Sequence, residues 1–300
     1  MAAVTGLCAW LGAQAAPAST PVAPLPPTSS MLLAPADFDP GAAVTTDTTL
    51  TKSGVQVVLR LFKGTKLGGK PVVAVAEIEV EHDENAASSD FAVMRTELGL
   101  RVEQRAFADF FSAEFAKGVA VGSSGKQSVT VKKTVIGHPV SVAGGAFRVP
   151  MTFVTSNGAF RVALGFGHAE RVIGIVFLLP FQGKLLPGGI VSRVVAAEQR
   201  HLRTAFTVAN TAPPTVAGMP QQGQTLTAGR GSWSGAPSSF SYAWSRCDAT
   251  GNACSPIAGA TSSTYVPAAA DAGSTLRVAV TGSNSVSSTH ASSPSTVVVS

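Results

Sequence analysis

Arg148 and Arg161 are the residues whose type and spacing point most directly to chemistry. Phe147, Val149, Met151 and Phe153 alternate with Arg148, Pro150, Thr152 and Val154. After Ser156-Asn157-Gly158-Ala159, Phe160, Val162, Leu164 and Phe166 alternate with Arg161, Ala163, Gly165 and Gly167. A period of two places both guanidiniums on the strand face opposite the apolar set, on neighbouring strands. Two cations so placed are a candidate binding face for an anionic ligand. Arg60, in the run Val55–Phe62, joins them if its strand is adjacent. Under a covering helix these arginines pair with carboxylates or line a polar cleft; on an open face they are ordinary solvent charges.

Other candidates carry less. Glu77, Glu79 and Glu81 alternate with Ile78 and Val80, so three carboxylates share one strand face. No compact oxygen-ligand loop accompanies them, and they read as a solvated face rather than a metal site. The histidines, at 82, 138, 168, 201 and 290, form no H-E-x-x-H and no i, i+4 pair. Gly122-Ser123-Ser124-Gly125 is one residue too short for a G-x-S-x-G elbow, and no phosphate-binding G-x-x-x-x-G-K-[ST] occurs. Gly165 and Gly167 read as strand-end or bulge glycines. No catalytic residue, cofactor or metal is expected.

The elements that must position the arginines follow from the same alternation. Asn-Gly is the preferred two-residue hairpin turn, because both positions need positive φ. A turn centred on Asn157-Gly158 pairs Phe153 with Val162, Met151 with Leu164, and Val149 with Phe166. Val55–Phe62, Val72–Glu81, Ser128–Ile136 and Arg171–Phe181 read as further strands. Ala86–Leu98 and Val102–Lys117 read as helices, the second with a stripe of Phe107, Phe110, Phe111 and Phe115. Pro187-Gly188-Gly189 opens a last helix over Ile190–Phe206, with Val191, Val194, Val195, Gln199 and Leu202 along one side. Strands, helices, four strands and a helix give an α+β domain, an antiparallel sheet packed by helices, over residues 35–209.

The flanking segments set the compartment. Residues 1–15 read as an export signal: Val4–Gly12 is a short apolar run, and Ala13-Gln14-Ala15 is a small-x-small cleavage site. No Lys or Arg precedes that run, and Cys8 follows Leu7 rather than the small residue a lipid-anchoring cysteine wants. Residues 16–34 are a Pro/Ala/Ser/Thr-rich spacer. Removing the signal leaves one even pair, Cys247 and Cys254, separated by the turn residues Asp248, Thr250, Gly251 and Asn252. A disulfide is expected, since zinc would need about four ligands and only the distant His290 is at hand. The charge is +5, but no basic run exceeds Lys132-Lys133, which excludes a concentrated nucleic-acid footprint. No segment is long and apolar enough to span a membrane once the signal is removed.

After Pro213 the composition shifts to Ser, Thr, Gly and Ala. The stretches APPTVAGMPQQGQTLTAGRGSWSG, FSYAWSRCDATGNAC, IAGATSSTYVP and AADAGSTLRVAVTGSNSVSS follow in order. Residues 213–300 so resemble the bacterial immunoglobulin-like modules of secreted and cell-surface proteins. The resemblance implies an all-β sandwich with Trp244 in its core. Asp271-Ala272-Gly273 is similar to the acidic-x-Gly corner that enters the penultimate strand of such folds. Leu276 and Val278 stand where antibody domains have Tyr and Cys, so the inter-sheet disulfide is absent and Trp244 packs on aliphatic residues. The larger domain loosely resembles, in element order alone, the Mog1/PsbP-like α/β/α sandwich; a convex sheet crossed by a long helix, as in lipoprotein carriers, is the alternative. The expectation is an exported, non-enzymatic binding protein, secreted or on the cell surface. Its partner would be a cell-wall polymer or another surface protein, with the sandwich as spacer or adhesive element. The alternatives are a cell-envelope enzyme with a site in the larger domain, or a carrier of an apolar ligand.

Overall fold

The structure, a computed structural model, describes residues 24–52, 55–81, 84–97, 130–156, 158–180 and 186–300. The expected export signal, the helix over Val102–Lys117 and the loop at Gly122–Gly125 lie outside these residues. The described chain is mostly antiparallel sheet with few helices. It gathers into two compact units, one over Pro27–Ala205 and the other over Phe206–Ser300.

The first unit is built on one sheet. Its strands are β1 (Ala43–Lys52), β2 (Val55–Lys63), β3 (Lys66–Leu67), β4 (Lys70–Val80), β5 (Val131–Ile136), β6 (Val140–Ser141), β7 (Phe147–Thr155), β8 (Gly158–Ala169) and β9 (Val172–Pro180). They run in the order β1-β2-β4-β9-β8-β7-β5, every pair antiparallel, with β3 on β4 and β6 on β7. The helices are α1 (Glu84–Glu97) and α2 (Gly188–Ala205). The edge strand β1 has no counterpart in the sequence reading. Its threonines suit a pleated backbone, but at the edge of the sheet they need no apolar alternation to betray them.

The β7–β8 hairpin forms in a register two residues from the expected one. Thr155 pairs with Gly158, Phe153 with Phe160, Met151 with Val162, and Val149 with Leu164. Gly158, at φ 121°, therefore already belongs to the ladder. The Thr155 hydroxyl donates to the Gly158 carbonyl at 2.8 Å and helps close the turn there. A two-residue slip leaves every side chain on its own face, so the apolar alternation cannot distinguish the two registers.

Each face of the sheet carries a helix. Phe147, Val149, Met151, Phe153, Val162, Leu164, Phe166, Ile173 and Ile175 form one core with Ala87 and Met94 of α1. α2 lies on the other face, over Gly165, Gly167 and Gly174. A Cβ at Gly165 would collide with Val195, and one at Gly174 would come within 2.8 Å of Leu202. These glycines mark neither a strand end nor a bulge; they let a helix backbone approach the sheet.

Burial corrects the reading of the glutamate row. Glu77 and Glu79 are 1% exposed and Glu81 5%, so this is not a solvated face. β4 is an inner strand: Glu77 stands between Leu59 and Ile175, and Glu79 between Val57 and Ile173. The unit also begins earlier than Pro35. Met31, Leu32 and Leu33, assigned to the spacer, are at most 1% exposed, because an apolar triplet in a Pro-rich stretch still gains from burial.

The second unit is all β. Its strands are β10 (Ala209–Ala212), β11 (Thr215–Ala217), β12 (Leu226–Gly229), β13 (Ser232–Ser234), β14 (Ser239–Cys247), β15 (Ser255–Pro256), β16 (Thr264–Tyr265), β17 (Thr275–Ser283) and β18 (Ser288–Ser292). They make sheets β10-β13, β11-β12-β16 and β15-β14-β17-β18. Leu226, Ala228, Trp244, Leu276, Val278, Val280 and Val299 share one core. Trp244 does not rest on aliphatic residues alone: it stacks on Tyr265 with ring centroids 5.5 Å apart, and its indole N–H donates to the Ser262 carbonyl. The unit starts at Phe206 rather than after Ala209. Phe206 and Val208 are buried, the Val208 amide donates to Ser287 Oγ, and its carbonyl accepts from Thr289 Oγ1.

Cys247 and Cys254 are disulfide-bonded across a sequence separation of 7. Closing so short a loop stabilises the unit by about 2–3 kcal/mol in the chain-entropy account. Replacing both cysteines by serine is expected to lower its unfolding free energy in urea by about that amount. Reduction of the native protein should produce the same loss. No described helix is long and apolar enough to cross a membrane.

Candidate functional site

The expected arginine pair lines a cleft. Arg148, on β7, and Arg161, on β8, face the α2 side of the sheet, together with Pro150 and Ala163. Leu186, Gly188 and Val191, at the start of α2, complete a cavity of about 280 Å³. The two arginines are not directly opposite: Arg148 pairs with Gly165 and Arg161 with Thr152. They stand at opposite ends of the cleft, with Pro150 and Ala163 between them as floor. Arg60 does not join them. β2 is separated from β8 by β4 and β9, and Arg60 there donates to Asp47 through Nε at 2.8 Å and Nη2 at 2.6 Å. Its Nη1 also donates to the Ser29 and Leu33 carbonyls, which ties the apolar triplet at 31–33 to the sheet.

Arg148 is fixed by the helix that covers it. Its Nε donates to Ser192 Oγ at 2.9 Å. Its Nη2 lies so close to Gly188 that a Cβ there would come within 2.6 Å. Gly188 is the first residue of α2, where backbone amides lack intrahelical acceptors and carry partial positive charge. The first turn of α2 contains no acidic residue, and among the described residues Arg148 has no carboxylate partner. A guanidinium set against a helix N-terminus repels it; an anion bound beside both relieves that repulsion. The cleft thus concentrates positive potential in a concavity with apolar walls. Among the described residues its titratable lining groups are guanidiniums, which stay protonated and do not act as acid or base.

Sequence reasoning missed a second polar cluster, on the rear half of α2. Glu198 is 1% exposed, and neither carboxyl oxygen has a hydrogen bond of good geometry among the described residues. Burial pushes its carboxyl well above the usual range; the Leu33 backbone and Arg60 oppose that shift and Asp37 adds to it. One turn on, His201 Nε2 lies 2.9 Å from Asp37 Oδ2. Gln199 is buried beside Glu198. Its Oε1 accepts from the His168 amide, and its Nε2 donates to the His168 and Gly144 carbonyls. β7 pairs with β8 only as far as Phe166, so the Gln199 amide serves His168 as a substitute for the missing strand. The signal was a polar pair, Glu198-Gln199, inside the apolar stripe of Val194, Val195 and Leu202.

His82 lies outside the described residues, and the remaining described histidines do not assemble a catalytic set. His138 and His290 are exposed. His168 stacks on Phe91, and burial lowers its pKa. Ser88 Oγ lies 3.5 Å from its Nε2, at the outer limit of hydrogen bonding. Among the described residues no group of three His, Cys, Asp or Glu is arranged to hold a metal ion. The sequence matches no protein-family model and no curated protein.

Proposed function

We propose that this chain is an exported binding protein, secreted or on the bacterial cell surface, whose first unit holds an anionic group in the Arg148–Arg161 cleft. The observation that carries the reading is the Arg148 guanidinium, pinned by Ser192 against the N-terminus of α2 with no carboxylate partner among the described residues. Recognition rather than catalysis fits a cleft whose titratable groups, among the described residues, are arginines. The second unit is read as an immunoglobulin-like module serving as spacer or adhesive element. Buried Trp244, the Asp271 corner and the disulfide of its central hairpin support that assignment. The disulfide also suits an oxidising compartment.

The test is binding of the full chain to acidic cell-wall polymer and to small carboxylates and phosphate, by calorimetry. Arg148→Gln removes one charge-assisted contact and is expected to weaken binding about ten- to hundred-fold, with a smaller loss for the more exposed Arg161→Gln. The salt dependence of binding should fall in parallel. Equal affinity of wild type and both variants for every anion would overturn the reading.

A further inference from the structure

The lining of the cleft specifies more than a negative charge. Arg148 and the amide end of α2 meet at one end of the cavity, and the walls beyond them are Pro150, Ala163, Leu186 and Val191. We propose that the cleft takes a short carboxylic acid with an apolar stem, its carboxylate on Arg148 and its stem along Pro150 and Ala163 beneath Leu186 and Val191. The inference rests on the anion-binding reading and narrows it to one ligand class.

Three observations select this class. First, Ser192 occupies the Nε–H of Arg148 at 2.9 Å, which leaves the paired Nη1 and Nη2 hydrogens. That end of the guanidinium is a planar fork matched to the two oxygens of a carboxylate. Second, phosphate near neutral pH carries between one and two charges and must shed a larger hydration shell than a carboxylate. Apolar walls return none of that cost. Third, the cavity of about 280 Å³ falls at the lower edge of the roughly 300–1,000 Å³ usual for drug-sized ligands. It accommodates a stem of a few carbons. Leu186 is 5% exposed and Val191 2%, so both are held by packing and present a fixed wall. Arg161, at the far end, closes the cleft with a second cation and limits stem length.

The experiment titrates the full chain with sodium acetate, butyrate, hexanoate and inorganic phosphate, using calorimetry or amide chemical shifts. Each methylene buried on the cleft wall strengthens binding about three- to four-fold, so butyrate is expected to bind about ten-fold tighter than acetate. Phosphate is expected to bind more weakly than butyrate. Leu186→Ala should bring the butyrate-to-acetate ratio towards one, with an unchanged far-UV circular dichroism spectrum showing that the variant is folded. Arg148→Gln should weaken both by about ten- to hundred-fold. Equal binding of acetate and butyrate, or tighter binding of phosphate, overturns the stem assignment and leaves the anion site standing. Absence of binding by all four overturns the site itself.

Discussion

Replacing Asp271 by alanine is expected to cost the second unit about 3 kcal/mol, because it strips one partner from a buried, bonded charge pair. Asp271 is fully buried. Its Oδ1 accepts from Arg246 Nε and Nη2, each at 2.7 Å. Its Oδ2 accepts from the Tyr265 hydroxyl and the Ala268 amide, also each at 2.7 Å. Arg246 is 36% exposed and regains water once released, which holds the loss below that of a fully buried pair. The Tyr265 hydroxyl and the Ala268 amide have less recourse, and Tyr265 also carries the ring that stacks on Trp244. Trp233 and Trp244 both belong to this unit, so urea unfolding followed by tryptophan fluorescence reads the change. Asp271→Asn, which keeps an acceptor, should lose less. A loss under about 1 kcal/mol for the alanine variant would show the network to be dispensable.

The same carboxylate gives the unit an acid limit. Burial alone raises the Asp271 pKa, but the bonds from Tyr265, Ala268 and Arg246 outweigh burial and hold it below its ordinary 3.8. A depressed folded-state pKa stabilises the fold above the unfolded value, and that stability is lost as pH falls below it. The partner moves the other way: burial and Asp271 push the Tyr265 phenol up to about 12. Wild type should lose stability below pH 3.8, and the alanine variant should lack that component.

Glu198→Gln in the first unit is expected to act in the opposite sense and to stabilise at neutral and alkaline pH. The Glu198 carboxyl is raised well above its ordinary 4.5, chiefly by burial. A raised folded-state pKa stabilises the fold below the unfolded value. That contribution is lost as pH rises from 4.5 towards the folded value, at about 1.4 kcal/mol per pH unit within the window. Glutamine has the same shape and no proton to lose, so the slope should disappear in the variant. The charges facing this group are Asp37 from the N-terminal segment and Arg60 from β2, with His201 one turn along α2. Thermal or urea unfolding monitored by far-UV circular dichroism across pH 4 to 9 tests it, with both helices of the described chain in this unit. Identical pH slopes for wild type and variant would rule out Glu198 as the titrating group.

The sequence carries the parts of this molecule that depend on local period and loses those that depend on strand order. The alternation from Phe147 to Phe166 placed Arg148 and Arg161 on one face, and a two-residue error in register left that placement intact, because the side-chain period is two. Arg60 shares their face but not their neighbourhood. Its distance from them is set by β4 and β9 lying between, a long-range fact that no spacing in the chain encodes. Glu77 and Glu79 mislead for a related reason. Alternating charge on a strand implies solvent only when the strand has an open face, and β4 is interior. Glu198 and Gln199 were visible as polar residues in an apolar helical stripe. The partners of Gln199, His168 and Gly144, and the Leu33 backbone near Glu198 come from segments remote in sequence, so nothing local announced them.

The glycines beneath α2 reach beyond packing. Because Gly165 and Gly174 admit Val195 and Leu202 at distances a Cβ would forbid, the helix has a single depth and a single register at which it can settle. Ser192 and Gly188 ride on that same rigid rod, so the aperture between Arg148 and the helix tip is inherited from seats about two to four turns away. Enlarging Gly174 would lift the rod and widen the mouth without touching any group that lines it. Ligand size in this scaffold is therefore tunable from positions that no ligand contacts.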